Sequence, residues 1–134
     1  ELAHAEIGAG AWLGDRPVRV SDVATLEQAA LSTGNLKSFA TGPRWGAFGR
    51  LVGRLNRIRG YGDFLHYHLL ASGKIDAVLE SDVNILDVAA CAVIVEAAGG
   101  RITDLDGGPL TLASTSVLAT NGRLHDAVLE AIRS

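Results

Sequence analysis

The sequence predicts a layered α/β domain. Three observations carry that reading. Strand-forming and helix-forming segments alternate from Arg57 onward. The segment Val88–Ala98 is apolar nearly all round, the pattern of a helix sandwiched between layers rather than laid on a surface. Turn-forming pairs, among them Gly42-Pro43, Gly99-Gly100 and Asn121-Gly122, separate the segments. A chain of 134 residues fits one domain, and its 48% hydrophobic and 20% charged shares are those of a soluble globular protein. The net charge of −3 lacks the basic excess of a nucleic-acid module. No run of about 18 apolar residues offers a membrane span, and a single cysteine, Cys91, excludes an internal disulfide. A cytoplasmic protein is the expectation. The chain opens Glu1-Leu2-Ala3 and contains no methionine, which points to a cut at the amino terminus.

Residues 1–22 read as a β-hairpin, with stretches Ala3–Leu13 and Pro17–Ser21 on either side of a Gly14-Asp15 turn. Gly8 and Gly10 mark a bulge or a close backbone approach. Leu26–Thr33 combines a short helical spacing with a following strand. After Gly42-Pro43, the residues Trp45, Phe48, Leu51, Val52 and Leu55 recur at three- and four-residue intervals, giving an amphipathic helix over Arg44–Asn56. Arg57–Tyr61 is a strand, Asp63–Ser72 a helix stopped by Gly73, and Ile75–Glu80 a strand. Asp87 stands immediately ahead of the apolar helix, and Gly99-Gly100 closes it. Arg101–Leu105 and Val117–Thr120 complete the strands, and Leu124–Ile132 is the last helix.

Asp87 is the first candidate for chemistry. A carboxylate there suits a helix N-cap, and local spacing favours that role. The same geometry can also present a rigid oxygen to a hard cation beside a helix end that attracts phosphate. Glu80 ends the preceding strand, where ligands bind in α/β sheets, although a lone strand-end glutamate is usually a solvated charge. Asp82 and Asn84 make the intervening loop acidic and polar. Asp63 is another natural N-cap. His66 and His68 lie two apart on one helix, so they do not face each other, and they read as packing or surface residues. His4 and His125 carry no signal. Cys91 reads as a small buried hydrophobe rather than a nucleophile. There is no glycine-rich phosphate loop with lysine, no zinc-type cysteine pairing and no serine elbow.

The run Leu86-Asp87-Val88-Ala89-Ala90 through Glu96-Ala97-Ala98-Gly99-Gly100-Arg101-Ile102-Thr103-Asp104 resembles the carboxyl-terminal signature of the inositol monophosphatase superfamily. Leu86 stands where that signature has an aromatic residue, and Ala98 precedes the paired glycines. The hairpin over Gly8–Ser21 and the run Val117–Gly122 are similar to family elements as well. Arg59-Gly60-Tyr61-Gly62-Asp63-Phe64 with Val78-Leu79-Glu80-Ser81 resembles the actinobacterial histidinol-phosphatases most.

The resemblance implies a layered α-β-α sandwich of the inositol monophosphatase and fructose-1,6-bisphosphatase type. Residues 1–22 would belong to the central sheet and 23–134 to the carboxyl-terminal domain. It further implies that Asp87 binds a catalytic Mg²⁺, and that Asp63 and Glu80 contact a small phosphorylated substrate, histidinol phosphate, beyond its phosphate. Protonated ammonium and imidazole groups are donors that suit carboxylates. Family members are about twice this length and commonly homodimers. Their first half carries the Glu-Glu and Asp-Pro-Ile-Asp-Gly-Thr motifs that supply most metal ligands, and neither motif occurs here. The expected protein is therefore a phosphoric monoester hydrolase in its full-length form. The missing amino-terminal half is its partner, and the 134-residue chain alone should be inactive. Two other readings remain beside it: an inositol or other sugar-phosphate phosphatase, and a non-catalytic truncated domain.

Overall fold

A mixed sheet organises the computed structural model, which describes residues 3–6, 9–62 and 64–133. The bulge expected at Gly8 and the helix cap expected at Asp63 lie outside those residues. Strands β4 (Ala30–Gly34), β5 (Arg57–Arg59), β6 (Ala77–Ser81), β7 (Arg101–Thr103) and β8 (Ser116–Thr120) lie in the order β5-β4-β6-β8-β7. β4 runs parallel to β5 and β6, whereas β8 is antiparallel to β6 and β7. Side chains alternate between the faces, as a pleated strand requires. Leu79 and Leu118 pack on one side, and Val78, Val117 and Ala119 on the other.

The first face is covered by α2 (Trp45–Arg54) and α5 (His125–Arg133), through Phe48, Leu51, Val128 and Ile132. Sequence spacing missed the short α1 (Leu36–Ala40), whose buried Phe39 stacks on Phe48 at 4.8 Å between ring centroids. The second face is covered by α3 (Leu65–Ala71) and α4 (Ile85–Ala97), through Tyr67, Leu70, Val88, Cys91 and Val95. The result is the expected α-β-α sandwich.

The amino-terminal region is not the single hairpin that the sequence predicted. Ala3–Leu13 divides into β1 (Ala3–Glu6) and β2 (Gly10–Leu13), and β3 (Arg16–Val18) completes a three-stranded antiparallel sheet. Gly14 holds φ +63° in the β2–β3 turn, as the Gly14-Asp15 pair anticipated. Ala11, Leu13 and Val18 of this sheet pack on Ile94 and Ala98.

Helix α4 also departs from expectation. It is apolar all round, but it is not covered all round. Leu86 is 71% and Val93 55% exposed, and Ala89 and Ala90 are exposed beside them. Its buried stripe, Val88, Cys91 and Val95, meets the sheet, so the opposite stripe faces outward.

Candidate active-site cleft

The cleft lies at the carboxyl ends of β4 and β6, where Gly34 pairs with Glu80 across two parallel strands. Crevices at strand ends of this kind are where open α/β sheets bind ligands. It measures about 420 Å³, and its walls include Asn35, Tyr67, Glu80, Asp82, Asn84 and Asp87. Such a volume accommodates a small metabolite. A larger hollow of about 720 Å³ opens between the amino-terminal sheet and α4, but no buried polar side chain lines it. Chemistry is better served by the smaller cleft, where fixed donors and carboxylates converge.

Two loops shape that cleft, and one side chain ties them together. Asn35 and Asp82 both adopt left-handed backbone, at φ 53° and 58°, a conformation that asparagine and aspartate tolerate better than most residues. The Asn35 Nδ2 donates to the carbonyls of Ser81 (2.9 Å) and Asp82 (3.1 Å), which latches the β6–α4 loop to the end of β4. Asn84 then starts α4, its Oδ1 accepting the Leu86 N–H at 3.0 Å. The N-cap is thus Asn84, not Asp87 as spacing favoured. Asp87 stands within the first turn, its own N–H given to the Asn84 carbonyl at 3.0 Å. Its carboxylate is relieved of capping, is exposed, and borders the cleft.

Glu80 is held quite differently. Its Oε1 accepts from His66 Nε2 at 2.8 Å and from the Tyr67 hydroxyl. An ideal Cβ on residue 34 would lie 2.9 Å from its Oε2, so any larger residue there would force this carboxylate to shift. Burial favours the neutral acid, but the hydrogen bonds from His66 and then Tyr67 outweigh it. Together they hold Glu80 below the ordinary carboxylate value. Burial and then the Glu80 charge raise the Tyr67 phenol, which stays protonated and remains a donor. Cys91, beneath the same region, is pushed up to about 11 by burial and then by Glu80, as befits an inert packing thiol.

Glu80 and Asp87 therefore share one cleft, while Asp63 lies outside the described residues. His66 was expected to be a packing or surface residue. It is fully buried, yet it bonds directly to Glu80. Tyr67, Asn35, Ser32 and Gly34 were also missed as site residues. No local motif marks them, because each acts on a residue 13 to 47 positions away through sheet pairing or helix packing. The two adjacent polar rings, His66-Tyr67, on the buried face of a short helix were the available signal.

Magnesium takes oxygen donors, draws one or two carboxylates from protein and keeps several waters. Asp87, exposed and uncommitted to a cap, fits as one such ligand. Among the described residues no group of three or more His, Cys, Asp or Glu side chains could hold a metal alone.

A mixed sheet sandwiched by helices, with a carboxylate cleft at its strand ends, defines an α/β domain of the ligand-binding or catalytic class. The sequence model of the inositol monophosphatase family matches residues 1–134, and the chain belongs to that family. The histidinol-phosphatase of Mycobacterium tuberculosis is 46% identical over 123 residues, 87% of this chain and 45% of that protein. That of Streptomyces coelicolor is 39% identical over 112 residues, covering 84% and 42%. An inositol-1-monophosphatase of Synechocystis is 33% identical over 137 residues, covering 98% and 47%. Among solved structures, an inositol monophosphatase from Anabaena (Nostoc) superposes with TM-score 0.85 at 31% identity, covering 96% of this chain and 52% of that one. The chain thus spans about half the length of the relatives it matches. No helix among the described residues is long and apolar enough to cross a membrane.

Proposed function

We propose that this chain is the carboxyl-terminal half of a magnesium-dependent phosphomonoesterase acting on histidinol phosphate in histidine biosynthesis. The observation that carries the reading is the shared cleft of Asp87 and Glu80, one carboxylate exposed and the other held by hydrogen bonds from His66 and Tyr67. Asp87 is the ligand this half gives to Mg²⁺. When bound, the metal supplies charge against the phosphate and acidifies water. Glu80, with Asp63, receives the ammonium or imidazolium end of the substrate through charge-assisted hydrogen bonds. The names of the two actinobacterial relatives support this substrate.

The remaining metal ligands come from the amino-terminal half, which covers the outward stripe of α4. Strands β1, β2 and β3 belong to a sheet that continues into that half. The enzyme is a cytoplasmic homodimer, in keeping with its lone buried cysteine. The 134-residue chain alone does not turn over substrate, since one carboxylate cannot assemble a hydrolytic metal site.

Phosphate release from L-histidinol phosphate, myo-inositol 1-phosphate and p-nitrophenyl phosphate by the complete protein tests the reading. Activity should require Mg²⁺ and fall at least about a hundredfold in Asp87→Asn, a range set by the weight of metal electrostatics in such reactions. Asp63→Ala should depress histidinol phosphate hydrolysis relative to p-nitrophenyl phosphate. Equal loss on both would remove Asp63 from substrate recognition. A preference for inositol phosphate would move the enzyme to the second reading, which the Synechocystis relative's name favours.

A further inference from the structure

Behind Glu80 runs a chain of hydrogen bonds that reaches from a backbone amide to the cleft. The Tyr61 N–H donates to Ser32 Oγ at 3.1 Å, and Ser32 Oγ lies 3.0 Å from His66 Nδ1. His66 Nε2 lies 2.8 Å from Glu80 Oε1. Ser32 and His66 have no exposed surface, and the Glu80 side chain is 12% exposed, so only the far end of the chain meets the cleft. For a neutral imidazole, proton accounting fixes its direction. Glu80 Oε1 can only accept, so His66 Nε2 carries a hydrogen. A neutral ring then has a bare Nδ1, which takes the Ser32 hydroxyl hydrogen, while Ser32 Oγ accepts from Tyr61. Every buried donor and acceptor is satisfied in that arrangement.

We propose that His66 is a positioning residue for Glu80. Oriented by Ser32, it acts with Tyr67 to confine the Glu80 carboxylate to one charged, cleft-facing orientation, and so sets a preference for phosphomonoesters bearing a cationic group. The proposal rests on the reading that Glu80 faces the substrate. Two donors fix Oε1, and Oε2 lies over Gly34, where an ideal Cβ would come within 2.9 Å of it. A carboxylate left rotatable or neutral would serve a polyol hydroxyl nearly as well. One fixed and ionised favours an ammonium or imidazolium, because opposite charges in contact add a Coulomb attraction that a neutral hydroxyl lacks. Packing alone would not retain this side chain, since a buried polar ring is costly unless bonded.

The test uses the complete phosphatase and the ratio of kcat/KM for L-histidinol phosphate to that for p-nitrophenyl phosphate. His66→Ala should lower the ratio about tenfold or more, through KM for histidinol phosphate, the loss expected when a charge-assisted contact is disordered. His66→Gln, whose amide N–H reaches where Nε2 does, should recover most of the ratio. Ser32→Ala should shift it the same way by a smaller factor, and it covers the case in which His66→Ala fails to fold. Ring ¹⁵N spectra of the 134-residue chain should show His66 protonated at Nε2. An unchanged ratio in His66→Ala or Ser32→Ala, or a ring protonated at Nδ1 alone, overturns the proposal. If the unsubstituted enzyme shows no preference for histidinol phosphate, the substrate reading fails, and the ring spectra still decide whether His66 is fixed as described.

Discussion

Acid should destabilise this fold through one buried ring. His125 has no exposed surface, and its nitrogens face two threonine hydroxyls, Nε2 at 2.8 Å from Thr103 Oγ1 and Nδ1 at 2.9 Å from Thr120 Oγ1. Thr103 donates its own hydrogen to the Asp104 carbonyl, so Nε2 is the donor in the first contact. Thr120 Oγ1 accepts the Gly122 N–H and gives its hydrogen to Nδ1. The ring is therefore neutral, and protonating Nδ1 would set two hydrogens against each other. Burial, aided by the Arg101 charge and opposed by Asp126, lowers the His125 pKa from 6.5 to about 4. As pH falls, the unfolded chain takes up this proton before the folded one. The stabilisation is complete above about pH 6.5, declines between there and about 4, and is gone below. At about 1.4 kcal/mol per pH unit across that window, the loss approaches about 3 kcal/mol. Urea unfolding of the chain and of His125→Gln at successive pH values measures it. The native profile should steepen by about 1.4 kcal/mol per pH unit near pH 5 relative to the variant. Parallel profiles would refute the neutral, threonine-clamped ring.

Three further outcomes follow from the packing. Gly34→Ala sets a methyl 2.9 Å from Glu80 Oε2 while His66 and Tyr67 hold Oε1. Its KM for histidinol phosphate in the complete enzyme should rise about tenfold, with thermal stability changed by less than about 1 kcal/mol. Gly100→Ala would bring a Cβ within 2.5 Å of the Thr120 carbonyl and 2.8 Å of Val95 Cγ1, and neither can yield inside paired strands and a packed helix. Urea titration should show a loss of about 3 kcal/mol or more. Cys91, 2% exposed with its pKa pushed to about 11, should react with iodoacetamide at the rate of unfolding rather than that of a free thiol. Rapid labelling of the folded chain would contradict its place in the core.

Sequence periodicity located the elements where one local signal dominates. The three- and four-residue spacing from Trp45 to Leu55 gave α2 to within two residues, and Gly73 and Gly99, at φ +77° and +97°, end their helices as glycine should. Asp87 shows where local pattern fails. Asparagine and aspartate three residues apart are both good caps, and the backbone chose Asn84, which released Asp87 for the cleft. Five-residue α1 offers too few turns for a period to register. Buried Asp76 was equally invisible. Its carboxylate accepts from Ser21 Oγ and the Ala30 N–H, joining segments that are 46 and 55 positions apart in sequence. Likewise His66 meets Glu80 only because α3 lies across β6, a relation set by tertiary packing and absent from any short window.

The outward stripe of α4 ties assembly to chemistry. Leu86, Ala89, Ala90 and Val93 recur at helical spacing along the exposed face, and Asp87 sits at the head of that face. Apolar burial stabilises by about 25 cal/mol per Å², so a segment covering a few hundred Å² of this stripe would contribute several kcal/mol to association. On the proposed reading, a segment laid there would bring its own groups within reach of Asp87, so covering the helix and completing a metal site would become one event. Two substitutions separate the contributions. Val93→Asp, with its side chain 55% exposed, should leave the isolated chain's stability within about 0.5 kcal/mol and weaken its capture of the amino-terminal half. Asp87→Asn should preserve that capture and abolish only the metal-dependent part of the affinity. If Val93→Asp unfolds the chain, or if Asp87→Asn weakens capture equally with and without magnesium, the stripe and the carboxylate do not act in this way.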